Sequence, residues 1–294
     1  MSIDTIPIES TAAIRTGQHE LRRELLHELL RSEAFLAGAA ILLFWILAAV
    51  LGQALVPQDP YAQNLGIINQ APSGAHWFGT DQLGRDMFSR VIVGARDILI
   101  VAPLATLIGT VLGTALGLVM GFLRGPTDDI LSRFVEAFLA LPVVIIGILG
   151  VTALGPSKGT LIAVIGVIFA PLIARTVRTA VLLERELDYV PAARLRGEGS
   201  LYIMFVEILP NVLPPVVVEF TVRLGYAVFA IVTLTFLGFG IGPPSPNWGL
   251  DIFTNYGVVS AGYWWEVLFD ALAIATLVIG VNLVANSIQQ AIEQ

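Results

Sequence analysis

The 294-residue sequence has no cysteine, a single lysine and only 13% charged residues. The absence of cysteine excludes disulfide bonds and thiolate metal sites, but it leaves the redox compartment undecided. A P-loop that holds ATP phosphates needs Gly-Lys followed by Ser or Thr, whereas the lone Lys158 follows Ser157. The sequence therefore lacks this motif for binding and hydrolysing ATP.

Patterns typical of catalytic and metal-binding sites are also missing. His19, His27 and His76 form no cluster, and no serine in the apolar regions is accompanied by a histidine. The net charge of -7 argues against nucleic acid as a partner. We therefore expect no catalytic residue, no metal and no cofactor in this chain.

Apolar residues dominate the sequence, with 56% hydrophobic residues and a mean hydropathy of +0.81. A membrane-spanning helix needs about 20 mostly apolar residues. Five clear runs of this kind and one borderline run are present: Ala34 to Val56, Ile98 to Phe122, Phe134 to Leu154, Val212 to Gly240, Val267 to Ser287 and, as the borderline run, Gly159 to Ala174. Runs such as Ile98 to Phe122 contain no charged residue and are apolar on every face, which a soluble core helix does not require. We predict an all-α, polytopic membrane protein with six transmembrane helices.

The arginines predict the orientation of these spans. With a cytoplasmic N-terminus, eleven basic residues lie in inside segments and four in outside segments, and Arg223 lies within a span. This distribution follows the positive-inside rule, so both termini are expected to be cytoplasmic. More than thirty residues precede the first span, unlike a cleavable signal peptide. The predicted divisions are an N-terminal segment (1–33), the first transmembrane helix (34–56), an outer segment (57–97) and a five-helix core (98–294) with an inner loop (184–210).

Leucines between His19 and Ser32 fall on one helical face. This pattern predicts an amphipathic helix that lies on the cytoplasmic membrane surface or braces a partner subunit. A solvated extension of the first span is the alternative, and the sequence does not decide between them.

The outer segments carry charge next to turn-forming residues. Asp81, Arg85 and Asp86 alternate in sign within the long outer segment, and a connection of that length usually has a role. A capped surface helix is the simpler interpretation. After the fifth span, Gly238 to Gly249 is rich in glycine and proline, which predicts a rigid loop that is either a helix stop or a lid over a central path.

The inner loop contains the segment that is most informative about function. Asp188 can cap a helix in whose first turn Pro191 is tolerated. Ala192 and Ala193 are small enough for close approach by another protein, and Gly197 permits a sharp turn.

A second short helix is predicted from Ser200 to Ile208, closed by Leu209 and Pro210. A helix, a glycine turn and a second helix between spans are suited to transmitting motion from an attached soluble domain. An ordinary re-entrant loop is the alternative.

Ionisable residues within spans are costly unless they are paired or face a cavity. Glu219 and Arg223 lie four residues apart on one helical face and can neutralise each other. An internal ion pair that fixes helix packing is the favoured interpretation. The alternative is that one of the two lines a transport pathway. Glu136 and Asp270 lie near span ends and are expected to be solvated.

Small and helix-breaking residues predict the packing of the spans. Four glycines recur at four-residue spacing in the second span, and they predict close contact with a neighbouring span or a partner subunit: Gly109, Gly113, Gly117 and Gly121. Pro142 and Pro171 are expected to break two other spans.

The inner loop resembles the segment that identifies permease subunits of bacterial ABC importers. The resemblance rests on Ala192 and Ala193, on Gly197 four residues later, and on Leu209-Pro210. Two positions depart from that pattern, because Pro191 replaces the usual glutamate and Glu207 replaces an apolar or neutral residue. The family has a type I ABC importer permease fold, in which this loop forms a coupling helix that docks on an ATPase. The resemblance assigns that role to Tyr189, Ala192, Ala193, Arg194, Gly197, Leu209 and Pro210.

Three further stretches resemble the dipeptide, oligopeptide and nickel permease family, and within it the second permease. They are Pro57 to Pro60, Phe78 to Arg96 and Leu234 to Gly249. Their position outside the membrane implies an outer gate or a contact with a binding protein, and the residues this assigns are Asp81, Arg85, Asp86 and Trp248.

The resemblance implies a heteromeric importer in the bacterial inner membrane. This chain would pair with a homologous permease, two cytoplasmic ATPases that bind ATP and Mg²⁺, and an extracytoplasmic solute-binding protein. Short peptides are the expected solute, and nickel, opines or glutathione are alternatives. A secondary transporter driven by an ion gradient is the rival from another class, although the two halves of the sequence show no repeat.

Overall fold

The structure, a computed structural model, describes residues 28–293 and is built from helices. Its numbered α-helices are α1 (Glu33–Leu55), α2 (Met87–Leu123), α3 (Pro126–Leu139), α4 (Val143–Leu154), α5 (Lys158–Glu184), α6 (Tyr189–Leu195), α7 (Ser200–Phe236), α8 (Trp248–Asn255) and α9 (Trp265–Glu293). Residues 28–31 are also helical, and Leu65–Ile67 and Tyr256–Ala261 form short 3₁₀ helices. Within the described residues the only strand-like pairing is one isolated bridge between Thr80 and Asp86. Most of the proposed N-terminal amphipathic helix, from His19 to His27, lies outside this range.

Six membrane crossings account for the apolar sequence. Among residues 28–293, five helices are long and apolar enough to span a bilayer, namely α1, α2, α5, α7 and α9. The pair formed by α3 and α4 gives a sixth crossing if it is counted as one broken span, since the two are bent by 90°. The predicted all-α fold with six transmembrane helices is confirmed.

Proline has different effects at the two positions where it was expected to break a span. Pro142 separates α3 from α4, because it lacks an N–H and disfavours helical backbone at the residue before it. The break expected at Pro142 is therefore confirmed, and the run Phe134 to Leu154 is divided between two helices. Pro171 does not interrupt α5, which continues for 27 residues and turns the borderline run into a full span. Packing against neighbouring helices makes such a proline tolerable.

The glycine ridge of α2 packs against α5. A Cβ atom added at Gly113 would lie 2.6 Å from the Ala170 carbonyl oxygen, and one at Gly117 would lie 2.7 Å from the Val177 Cβ. Glycine thus allows the two helix backbones to approach closely, as the four-residue spacing predicted. The partner of the ridge is a helix of the same chain.

The first span, α1, lies beside α2 and α9 and contacts its neighbours at two positions along its length. Gly38 contacts Leu283 of α9, where an added Cβ would lie 2.8 Å from the Leu283 Cβ. Trp45 donates a hydrogen bond from Nε1 to the Thr276 hydroxyl at 3.2 Å and meets the Trp248 ring edge-on. Since α1 packs on both α2 and α9, it extends the core and is not a detached anchor.

The inner loop is shorter than the sequence indicated. The predicted second helix, Ser200 to Ile208, is not separate, because α7 continues through a wide turn at Ile203–Ile208 into Phe236. In this turn the Leu209 amide donates to the Met204 carbonyl, five residues earlier. Pro210 supplies no N–H, and a local change to wider hydrogen bonding is a usual way for a helix to accommodate such a defect. Leu209 and Pro210 therefore lie within a helix and do not close the loop.

Candidate functional site

The helix α6 lies where the coupling helix was predicted, and we call it the docking helix. It has a buried side and an exposed side. Val190 and Ala193 have 0% exposure and belong to the hydrophobic core, whereas Leu195 is 90% exposed. Pro191 and Ala192 are also exposed. Ala192 is thus available to another protein, and Ala193 is not, which corrects the expectation that both alanines form the contact surface. Ala193 must be small because its side chain is packed within the hydrophobic core of this chain.

The local sequence explains where the docking helix begins and ends. Pro191 occupies its first turn, where a missing N–H leaves no hydrogen bond unmade. Asp188 is the N-cap residue of this helix, as predicted, although its side chain makes no capping hydrogen bond. Gly197 adopts φ +82° directly after the helix, a conformation that is strained for residues with a Cβ atom.

Hydrogen bonds tie the docking helix to α5 and α7. The Tyr189 hydroxyl donates to Glu184 Oε1 at 2.9 Å and accepts from Asn211 Nδ2 at 3.2 Å. Burial is the main effect that raises the pKa of Tyr189 to about 12, so the phenol keeps its proton at physiological pH. Tyr189 therefore joins the inner end of α5 to α7 through the start of the docking helix.

Two arginines attach the same region to the inner end of α2. The Arg185 guanidinium donates from Nη1 to the Phe122 carbonyl at 2.6 Å and to the Gly121 carbonyl at 3.2 Å. The Arg194 guanidinium lies over the Phe122 ring at 5.3 Å from its centroid. The docking helix and the residues next to it are thus in contact with α2, α5 and α7. Arg185 and Asn211 were not identified from the sequence, because hydrogen bonds to distant partners leave no local pattern.

The glycine turn after the docking helix is held by an ion pair. Arg196 contacts Glu198 Oε1 at 2.7 Å and Glu207 Oε1 at 2.8 Å. Glu207, one of the two departures from the family pattern, is therefore paired within this chain. The surrounding side chains are partly exposed, so the ion pair shapes the turn more than it stabilises the fold.

The charged residues predicted at the outer side are buried. We call Asp81, Arg85, Asp86, Arg90 and Asp251 the outer cluster, and all of them are at most 6% exposed. Asp81 accepts hydrogen bonds from the Leu83 and Arg85 backbone amides at 2.9 Å and from Arg85 Nε at 2.6 Å. Buried side chains cannot form a contact surface, which corrects the expectation that Asp81, Arg85 and Asp86 meet a binding protein directly.

Asp86 begins the second span. It accepts hydrogen bonds from the Ser89 amide at 2.8 Å and from the Ser89 hydroxyl at 2.7 Å, so it is the N-cap of α2. His76 Nδ1 lies 2.9 Å from its other oxygen. The outer segment is therefore folded onto the end of α2.

Arg90 is the centre of the outer cluster, although the sequence did not single it out. It is fully buried and contacts both carboxylate oxygens of Asp251, at 2.5 Å and 3.2 Å, and donates to the Pro60 carbonyl at 3.0 Å. These bonds join α2, α8 and the outer segment. Burial raises the pKa of Asp251, and the Arg90 guanidinium opposes that effect.

Trp248 fixes the loop that follows α7. It has 0% exposure and donates from Nε1 to the Val91 carbonyl at 2.8 Å. Gly94 makes room for the indole, since an added Cβ would lie 2.9 Å from Nε1. Trp248 therefore holds the outer loop from inside and is not a surface contact.

Asp270 is buried, contrary to the expectation that it is solvated. It has 0% exposure, and within residues 28–293 neither of its carboxylate oxygens has a hydrogen-bond partner. Glu266, one turn earlier on α9, also has 0% exposure. Glu136 is exposed, as expected. The burial of Asp270 follows from the packing of α8 and the outer segment over the start of α9, which hydropathy does not reveal.

Glu219 and Arg223 form the internal ion pair that the sequence favoured. Arg223 Nε lies 2.9 Å from Glu219 Oε2, and the Thr176 hydroxyl of α5 donates to Glu219 Oε1 at 2.8 Å. Arg223 also lies over the Tyr226 ring and lines a cavity of 250 Å³ between α4, α5 and α7. The pair connects α5 to α7, and Arg223 additionally faces an open space.

Within residues 28–293, no group of three or more His, Asp or Glu side chains is placed to hold a metal ion. The side chains of Arg90, Arg185 and Glu219 make hydrogen bonds that join one helix to another.

Family comparisons identify both parts of the chain. The binding-protein-dependent transport system inner membrane component family matches residues 113–294. The N-terminal transmembrane domain of oligopeptide transport permease C matches residues 21–72.

Curated relatives are similar over nearly the whole chain. The dipeptide transport system permease protein DppC of Bacillus subtilis (strain 168) is 35% identical over 90% of this chain and 82% of the relative. The probable D,D-dipeptide transport system permease protein DdpC of Escherichia coli (strain K12) is 32% identical over 97% and 96%. The glutathione transport system permease protein GsiD of Pectobacterium atrosepticum is 32% identical over 98% and 95%.

A solved structure shares the fold. The MetNI methionine ABC transporter, in inward-facing conformations, has a chain that superposes with a TM-score of 0.57 and 21% identity, over 71% of this chain and 98% of that one. The type I ABC importer permease fold is thereby confirmed. Since the family match covers more than half of the sequence and the relatives cover most of it, the chain belongs to the binding-protein-dependent transport system inner membrane components, the permease subunits of ABC importers.

Proposed function

We propose that this chain forms one half of the pathway of an ATP-driven importer of short peptides, and that the docking helix receives the motion of a cytoplasmic ATPase. The observation that carries the proposal is the position of α6, which contacts α2, α5 and α7 and leaves Leu195 exposed at its end. Such an element moves three spans when it is moved from the cytoplasm.

The partners follow from what this chain lacks. It has no P-loop, so two ATPase subunits bind ATP and Mg²⁺ and supply the work. A homologous permease forms the other wall of the pathway, and an extracytoplasmic solute-binding protein delivers the solute to the outer side. The excess of arginine in the inner segments supports cytoplasmic termini in the bacterial inner membrane.

Short peptides are the solute class that the relatives favour. Two of the relatives described above are named for dipeptides and one for glutathione, which is itself a small peptide derivative. Within this chain, Arg223 and Tyr226 line a cavity in which their polar groups can contact a peptide as it crosses the membrane. Glu219 serves to position Arg223.

Reconstitution tests the proposal. The full complex in proteoliposomes is expected to accumulate a labelled dipeptide only when ATP and the binding protein are both supplied. Each component is omitted in turn, and an ion gradient without ATP serves as the control. Uptake by this chain alone under an ion gradient would overturn the proposal in favour of a secondary transporter.

A further inference from the structure

Among residues 28–293, Arg96 is a cation without an acidic partner on the outer side. The outer segments contain four Arg or Lys residues, and three of them have acidic partners: Arg85 with Asp81, Arg90 with Asp251, and Lys158 with Asp97. Arg96 is exposed and has no acidic partner among residues 28–293. A guanidinium at a membrane boundary attracts an anion, because its charge is not neutralised by the protein.

The position of Arg96 places that charge at the edge of the bilayer. It lies two residues before Ile98, where the apolar run of α2 begins. The neighbouring residues on the other side, Arg90 and Asp86, belong to the outer cluster. Arg96 thus lies at the depth where phospholipid headgroups meet the hydrocarbon.

An apolar cleft runs from Arg96 toward the middle of the membrane. It has a volume of 500 Å³ between α1, α2, α7 and α9, and eleven of its twelve lining residues are apolar, Arg96 being the exception. Its wall on α1 extends from Val50 near the outer end to Leu42. Eight residues of helix span about 12 Å, close to the roughly 15 Å thickness of one leaflet's hydrocarbon.

A second polar group lies one turn deeper. Leu99 and Pro103 both line the cleft. Since Pro103 has no N–H, the Leu99 carbonyl lacks its helical hydrogen-bond partner. This carbonyl can accept a hydrogen bond from a hydroxyl group near the headgroup.

We propose that this cleft binds an anionic phospholipid of the outer leaflet, with its phosphate on Arg96 and an acyl chain between α1 and the core. The charge of Arg96 matches a phosphate group, and the apolar lining matches an acyl chain. The length of the cleft matches the depth of one leaflet. A soluble anion would leave the apolar wall unused, and a peptide would leave its amides without partners there. The bound lipid would fasten α1, the first span, to the remaining helices.

The test uses the intact complex, purified in mild detergent from membranes that contain phosphatidylglycerol and phosphatidylethanolamine. Native mass spectrometry then measures the bound phosphatidylglycerol per complex. Arg96→Gln is expected to lower it about five-fold, the factor associated with one basic residue at an anionic lipid surface. The matched control is Arg133→Gln, which removes an exposed arginine without an acidic partner in the described range from the inner side; it should leave the value unchanged.

A photoreactive side chain at Ile46, which is 48% exposed and lines the cleft, distinguishes the occupants. It is expected to label lipid. Unchanged phosphatidylglycerol in the Arg96→Gln complex, or labelling of the partner permease in place of lipid, would overturn the proposal. An equal loss in the Arg133→Gln control would do the same, because the effect would then not depend on the cleft.

Discussion

Leu195, 90% exposed at the end of the docking helix, is the side chain whose truncation tests docking most directly. In this chain alone, Leu195→Ala removes almost no buried surface, so the fold should be unaffected. If the side chain is buried against an ATPase, the change removes three carbon atoms from the interface. At about 0.8 kcal/mol per buried CH₂, this costs roughly 2.4 kcal/mol, which is about a 50-fold loss of affinity at 1.4 kcal/mol per factor of ten.

The assay is binding of the ATPase subunit to the permease pair in lipid nanodiscs. Because the homologous permease keeps its own docking site, the stoichiometry near the wild-type Kd should fall from two ATPases to one. Leu183→Ala is the matched control, since Leu183 is 72% exposed on α5 but lies outside the docking helix; it should change the Kd by less than about threefold. An unchanged Kd for Leu195→Ala would refute the docking assignment.

Other contacts give further predictions. Arg90→Ala leaves Asp251 buried without its main partner and should destabilise the folded protein by about 3–5 kcal/mol, seen as a lower Tm of the purified complex. Gly197→Val places a Cβ at φ +82° and should uncouple ATP hydrolysis from transport while the spans stay folded, which parallel ATPase and uptake assays would detect. Asp270→Asn replaces a buried carboxyl group, which has no hydrogen-bond partner among residues 28–293, by an uncharged amide and should raise Tm. Glu219→Gln weakens the pair with Arg223 and should lower Tm modestly, with peptide uptake altered only if Arg223 contacts the solute.

Conservative variants serve as controls. For Arg90, Arg133→Ala removes an exposed arginine that has no acidic partner among residues 28–293 and should leave Tm nearly unchanged; an equal loss would show that burial of Asp251 is not the cause. Gly199→Val has the same side chain at φ −72° and should remain coupled, so uncoupling there would contradict the strain argument. A lower Tm for Asp270→Asn would indicate a polar contact that Asp270 makes in the assembled complex.

Several features of the site could be predicted from the sequence because they depend on local rules. The glycine ridge of α2 and the pairing of Glu219 with Arg223 follow from helical periodicity, and the structure confirms both. The turn at Gly197 follows from the freedom of glycine at positive φ. Pro171 was misjudged, since whether a proline breaks a helix depends on the packing around it.

Composition, hydropathy and the resemblance of short segments determined the class of protein, the number of crossings and the position of the docking helix. Only the tertiary structure decided which side of each element is buried: it placed Ala193 in the core and Leu195 outside, and it buried Arg90 and Asp270 in the outer region. Hydropathy reports the preference of a segment for lipid or water. The partners of a charged side chain are set by helices that are distant in sequence, and these are brought together only by packing.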